Sequence, residues 1–489
     1  MTRRIAAALL PLALAACAVG PADHAAPAVA PSVPLIDAPR ADSNRTFVDS
    51  LAAARARDVA PATRMAAPER VLRYDPNAGV AWLEILHDTT LERLVQTAVA
   101  QNRTVQAALA RIREYRAVAG SAGTQLYPNV TINGSESTNQ VAFGSNLIGY
   151  RAARLTGDMA WELDFWGRLR RGAEAANADA AAQDAAERAV LLSLVSDVAS
   201  GYLQLLELDQ ERAIAERTLG SRRATLDLAR QRFAQGVISE LDVRQFEAQL
   251  AAPAVTLSRV ERQSATVEHN LKVLLGEAPG PVDRHGSLAA AVSALRVPDT
   301  LSAALLARRP DVQQAERAFA AATARIGAVM ASNLPTISIA GSYGSQALDP
   351  SKLFAANTTV YQLSAGFSFP LSSFTRGADE TAAARARADQ AKAAYEHAAL
   401  GALRDASDAL VGVRTSRDEM ASQATQAEAL RHALELAELR YGAGLASYLD
   451  VLDAQRNLFN AELAVSQSQL QQLTAAVQLY KALGGSWSR

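Results

Sequence analysis

Cysteine and lysine are nearly absent from this chain of 489 residues. Cys17 is the only thiol, so no disulfide forms within the chain. The lysines are Lys272, Lys352, Lys392 and Lys481, and none precedes Ser or Thr, which excludes a phosphate-cradling Walker loop. Charge of one sign is also lacking: 49 basic and 50 acidic side chains leave a formal charge of -1, with no basic footprint for nucleic acid. Aromatic residues make up 5%, and Trp82, Trp161, Trp166 and Trp487 are too scattered to form a base-stacking platform. His24, His87, His269, His285, His397 and His432 show no short metal spacing, and neither His-Glu-x-x-His nor Gly-x-Ser-x-Gly occurs. The chain therefore reads as a protein that is not an enzyme and carries no metal or cofactor.

Long apolar runs are missing as well. The run Ile5 to Leu14 follows Arg3 and Arg4 and leads into Ala15, Ala16 and Cys17, the layout of a secretory signal over residues 1–16. It falls short of the roughly 20 apolar residues that a spanning helix needs, and no uninterrupted run of that length follows. Leu14-Ala15-Ala16-Cys17 resembles a bacterial lipobox, in which cleavage before Cys17 exposes it for acylation; the alternative is an incidental cysteine in a cleaved leader. The expected modification is a diacylglycerol and an N-acyl chain on Cys17, each buried methylene contributing roughly 0.8 kcal/mol to anchoring. Residues 17–80 are rich in Pro and Ala, with weak periodicity, and read as a lipid-anchored extended linker.

What the rest of the chain has is a repeat. Arg232-Phe233-Ala234-Gln235-Gly236-Val237-Ile238-Ser239-Glu240-Leu241-Asp242-Val243 aligns with Arg440-Tyr441-Gly442-Ala443-Gly444-Leu445-Ala446-Ser447-Tyr448-Leu449-Asp450-Val451, 208 residues later. The same spacing relates Leu275-Gly276 to Leu483-Gly484, and a spacing of 207 relates Pro128 through Ser135 to Pro335 through Ser342. Two copies of one unit, 81–282 and 283–489, make up the body.

Each copy has the same order of elements. Helical patterns run from Leu91 to Gln125 and from Ala303 to Leu334, each ending before a proline. Alternation then takes over in Met159, Trp161, Leu163, Phe165 and in Tyr361, Leu363, Ala365, Phe367, Phe369, and more briefly in Val130, Ile132 and Ile337, Ile339, giving four strands. After Gly167 and Gly377 come some sixty residues with almost no Gly or Pro, about 95 Å if fully helical. Leu191, Val195, Val198, Tyr202 and Leu205 follow coiled-coil spacing. So do Leu449, Leu452, Phe459, Leu463, Leu470, Leu473, Val477 and Tyr480, and so do Val243, Phe246, Leu250, Leu257, Val260, Val267, Leu271 and Leu274, where Pro253 predicts a kink. Each copy thus predicts a helical hairpin closed at a glycine tip.

Alternating strands are the signature of an outer-membrane barrel, but such barrels begin at eight strands, so four must either pool with identical partners or form an ordinary soluble sheet. Trp161 and Trp166 suit a lipid interface.

The body from Ala81 to Trp487 resembles the TolC-type outer membrane efflux proteins, in particular the NodT-like lipoproteins. The matching stretches are Cys17 to Pro21, Trp82 to Asp88 with Leu91 and Leu94, Leu274 to Pro279, Leu305 to Val312 with Ala315-Glu316, and both tips. Asp88-Thr89 stands where the family usually has Asp-Pro. The resemblance implies a mixed α/β membrane protein: a homotrimer in which twelve strands form an outer-membrane β-barrel and long helices form a periplasmic α-barrel. It further implies a passive exit duct for drugs or other solutes, working with a periplasmic adaptor and an inner-membrane transporter of the RND type. The competing reading is a non-conducting coiled-coil lipoprotein that spans the periplasm as a tether.

By this resemblance Gly236, Val237, Ile238, Ser239 and Gly444, Leu445, Ala446, Ser447 meet the adaptor. The glycines also suit a tight helix end and the serines an N-cap, which a bare turn would need equally. Leu449 and Asp453, one turn apart, match an apolar and an acidic ring that close the periplasmic end; a core Leu beside a solvated Asp is the simpler alternative. Asp242 and Asp450 are expected to cap or solvate the hairpin. Arg308-Arg309-Pro310-Asp311 could hold an anion, but Pro at a helix start beside Asp is ordinary capping.

Overall fold

The structure, a computed structural model, describes residues 88–144, 146–295, 308–371 and 373–485. Cys17, the leader, the linker, Trp82 and Trp487 lie outside the described residues. Asp88 opens the first helix, α1 (Thr89–Gln101), where its carboxylate accepts from the Thr90 and Leu91 amides and supplies the cap that Thr89, in place of proline, leaves necessary. The pattern from Leu91 to Gln125 is two helices, not one. Asn102 leaves the helical backbone, its side chain accepts from the Thr104 and Val105 amides, and α2 (Arg103–Thr124) restarts beyond it.

The chain continues through β1 (Asn129–Phe143), β2 (Asn146–Leu163), α3 (Arg168–Ala234) and α4 (Glu240–Leu274), then α5 (Leu288–Ala294) and α6 (Pro310–Ser332). After these come β3 (Thr336–Ala347), a 3-10 turn at Pro350–Lys352, β4 (Thr359–Ser368), α7 (Ser373–Gly442) and α8 (Tyr448–Ala482). Phe165 falls outside β2, in a turn where Asp164 accepts from the Leu169 and Arg170 amides and so caps α3. Among the described residues α6 begins at Pro310. Gly377 does not precede α7 but lies within it, because a side chain there would come within 2.7 Å of Asn333 Cγ; the Asn333 amide donates to the Gly377 carbonyl.

Two compact units cut across the repeats, each taking segments from both. The first comprises Ala110–Ala185 and Gln313–His397; the second comprises, as far as they are described, residues 88–109, 186–312 and 398–485. In the first, the strands form an antiparallel sheet in the order β1-β2-β3-β4, and Ala322 and Ile326 of α6 pack on Ala384 and Ala388 of α7.

The second unit holds the larger core. Leu191, Val195, Val198, Tyr202 and Leu205 of α3 are all buried, joined by Leu271 of α4 and Leu473, Val477 and Tyr480 of α8, as the heptad spacing predicts. This core explains why α3, with an 18-residue window of mean hydropathy 1.5, is long and apolar enough to cross a bilayer: 56% of that window is buried within the protein. The two repeats close their helical hairpins alike. Asn102 donates to the Leu274 carbonyl at the end of α4, while its repeat mate Arg309, also buried, donates to the Ala482 carbonyl at the end of α8. Arg309 further bonds Asp311 and Asp405, so its donors are occupied inside the chain and the Arg-Arg-Pro-Asp stretch is a structural lock.

Candidate functional site

Antiparallel register sorts the sheet into two chemically different faces. Partners directly opposite share a face: Val130, Met159 and Gly341 with Leu363; Ile132, Gly157 and Tyr343 with Tyr361; Leu163 and Ile337 with Phe367. Trp161 and Ile339 belong to this apolar face. The other face carries Thr131, Asp158, Ser342 and Gln362 in one row and Asn133, Thr156 and Gly344 in the next. Here the Asn133 amide and the Thr156 hydroxyl both donate to Asp158 Oδ2, at 2.6 and 3.1 Å.

Much of the apolar face is uncovered. Ile132, Tyr343, Leu363 and Phe367 are all far beyond half-exposed, Phe367 at 71%, while Met159, Trp161 and Leu163 between them are half-buried, whereas a sheet in water must bury such a face against something. The soluble-sheet reading therefore fails within this chain. From Leu155 to Leu163 the apolar stretch of β2 measures about 27 Å at 3.4 Å per residue, about 20 Å along the normal at a tilt near 40°, close to the roughly 25 Å band of outer-membrane barrels. Aromatic residues stand near both ends of it: Tyr343 opposite Tyr361, level with Gly157, and Trp161 with Phe367, the latter level with Leu163. Beyond the tyrosines the same face turns polar with the Glu136–Arg151 ion pair. The Trp161 and Trp166 indoles donate to the Leu126 and Pro335 carbonyls, which pins the lower ends of the strands. Among the described residues neither outer edge, β1 or β4, has a partner strand.

The two hairpin tips are near copies. Gly236 and Gly444 take φ of +73° and +72°, which a side chain would strain, and the amides of Val237 and Leu445 reach back to the Arg232 and Arg440 carbonyls at 2.9 and 2.8 Å. Ser239 then caps α4 and Ser447 caps α8, with Asp242 and Asp450 returning a bond to the serine amides. Both aspartates cap, as expected, and the bonds from Ser239 hold the Asp242 carboxyl below its usual range. Val237 and Leu445 point outward at 65% and 71% exposure, while Ile238 and Ala446 are half-buried.

Leu449 is exposed and so stands apart from the buried seam of α8 that begins at Val451 and Leu452. Asp453 is half-exposed and pairs with Arg456, one turn on, at 3.0 Å. Sequence reasoning missed that partner, and it missed the contact joining the tips. Arg232 donates to the Tyr441 hydroxyl at 2.8 Å, and Tyr448 stacks against both Tyr441 and Phe246. The signal was a pair of differences between the tips: Tyr441 and Tyr448 have Phe233 and Glu240 as their repeat mates, so only the second tip carries phenol rings there. Among the described residues no group of three or more His, Cys, Asp or Glu side chains could hold a metal.

Comparison with known proteins agrees with this geometry. The family described as Outer membrane efflux protein matches residues 94–277 and 301–485. The toluene efflux pump outer membrane protein TtgC of Pseudomonas putida is 33% identical over 414 residues, 83% of this chain and 85% of the relative. The cation efflux system protein CusC of Escherichia coli is 28% identical over 417 residues, 84% of this chain and 89% of the relative. The solved outer-membrane channel OprN superposes with a TM-score of 0.81 at 27% identity, covering 96% of this chain and 100% of that one. The chain belongs to the outer membrane efflux protein family, the channel components through which efflux systems cross the outer membrane.

Proposed function

We propose that three copies of this chain assemble into a passive exit duct, each supplying its four strands to a twelve-stranded barrel in the outer membrane. The observation that carries this reading is the sheet with one largely uncovered apolar face, one polar face and two open edges. Four strands cannot close, and lipid satisfies no backbone group, so β1 of one copy pairs with β4 of the next and the polar face lines the lumen. A tether without a pore has no use for such a sheet. Diacylglycerol and an N-acyl chain on Cys17 anchor each copy to the same membrane.

The exposed tips, 236–239 and 444–447, dock a periplasmic adaptor, which links the duct to an inner-membrane transporter of the RND type to form a tripartite pump. Its cargo is drugs or other solutes; relatives are named for toluene and for cations. Leu449 and Asp453 form the rings that narrow the periplasmic end, where Arg456 partly neutralises each Asp453. The test is ion conductance of the detergent-extracted protein in a planar bilayer, alongside its mass by light scattering. Discrete channels from a species of three chains are expected; a non-conducting monomer would overturn the reading. Asp453→Ala is expected to raise conductance, and an unchanged value would remove Asp453 from the gate.

A further inference from the structure

Between two apolar clusters of the second unit lies a polar layer that the channel reading leaves unused. On one side pack Leu203, Leu205, Leu206, Leu473 and Val477; on the other, Ile214, Ala215 and Phe459 with Leu257 and Leu463. In the layer, Glu207 and Glu211 sit four apart on α3 and share a face, at 4% and 1% exposure. Glu211 is gripped from both neighbouring helices: Arg259 of α4 donates to Oε2 at 2.6 Å and Gln467 of α8 to Oε1 at 3.2 Å. Arg259 also donates to Gln263, and a Gln210–Gln469 bond at 3.0 Å flanks the layer. Glu207 has no such support. Its Oε1 is buried without a hydrogen-bond partner, and so is the Ser466 hydroxyl that α8 presents to the layer.

The charges do not balance. The ionised groups acting on Glu207 are Glu211 from its own helix and Arg259 from α4, while α8 contributes the uncharged Ser466 and Gln467. Two carboxylates against one guanidinium leave an unpaired negative charge in a buried layer, which is strongly unfavourable. A proton removes that charge and also turns a carboxyl oxygen into a donor. The layer is not an inherited need of the repeat: at the same spacing of 208, the mates of Glu207 and Glu211 are the exposed Thr415 and Glu419 of α7.

We propose that Glu207 is a buried proton-binding site that holds its proton at neutral pH, so that losing it loosens the packing of α3 against α4 and α8. Burial, and then the charge of Glu211, push the Glu207 carboxyl up to about 8, against the pull of Arg259. The folded chain thus binds a proton that the unfolded chain releases near 4.5, the ordinary value. The stability from this site is full below that ordinary value and is lost as pH rises to about 8, at one proton or a tenfold change in the unfolding constant per pH unit. The proposal does not depend on conduction.

The full-length protein in detergent tests it by infrared difference spectroscopy between wild type and Glu207→Gln. The carbonyl stretch of a protonated carboxylic acid is expected in the wild type at about pH 6.5, absent from the variant, and lost by about pH 9.5. Its absence from the wild type at the lower pH would overturn the site. In denaturant unfolding from about pH 5 to 8, the wild type is expected to lose stability more steeply than Glu207→Gln by up to tenfold per pH unit. Equal slopes would overturn the link to packing. Should Glu207→Gln not fold, Glu211→Gln serves: removing the neighbouring charge is expected to move loss of the acid band to lower pH, and an unmoved midpoint would overturn the assignment of the band to Glu207.

Discussion

The sheet of the first unit and the helical core of the second contain the same kinds of side chain in opposite circumstances. Ile132, Leu363 and Phe367 stand uncovered on the sheet, whereas Leu203, Leu205 and Leu473 are withdrawn almost completely from solvent. The helices find their apolar partners within the chain, by heptad spacing. The sheet finds none among the described residues, and in the proposed duct its partner is a different solvent: lipid on one face and, along the edges, the strands of other copies. An uncovered apolar residue is a defect only if water is what surrounds it.

The largest expected effect breaks the comparison on its membrane side. Met159 lies midway along the apolar stretch of β2, and Met159→Arg is expected to cost about 2–4 kcal/mol per copy. Outer-membrane fractionation should show insertion lost; normal insertion would mean that this face does not meet lipid. A comparable cost on the helical side should leave insertion intact. Leu205→Ala is expected to destabilise the second unit by about 2–5 kcal/mol, read as a lower denaturant midpoint with the protein still in the membrane fraction. The smallest effect belongs at the tips, where neither lipid nor core decides. Ser239→Ala or Ser447→Ala should cost about 0.5–2 kcal/mol, seen as faster hydrogen exchange in the first turn of α4 or α8 and unchanged elsewhere.

The sequence was legible wherever a single period governed. Leu191 through Leu205 declared a buried helix face, and Gly236 with Ser239 declared a turn, because each signal is local. β1 was only half legible. Val130 and Ile132 alternate, but from Ser135 to Gln140 the strand is polar on both sides, since it runs past the apolar band and nothing there must meet lipid. The break at Asn102 was hidden because Asn ends one helix and caps the next while the apolar spacing continues across it. Gly377 misled for the opposite reason: it reads as a helix boundary but is required by the nearness of Asn333. In the proposed gate, Leu449 and Asp453 follow from the family resemblance and not from the repeat, where the mate of Asp453 is Gln245, while Arg456 counts only once the helix brings it beside Asp453.

The open edges of the sheet bear on how the molecule is made. β1 spans 15 residues and β4 spans 10, so the two edges differ, and in the proposed ring a contact between copies joins unlike surfaces, head to tail. Such a contact has no built-in end. It stops when curvature brings the last edge round to the first, and until then every intermediate exposes a strand that any other extended chain could pair with. Newly exported copies must therefore meet quickly or be escorted, and the yield of closed rings should depend on copy number more steeply than the stability of any finished ring.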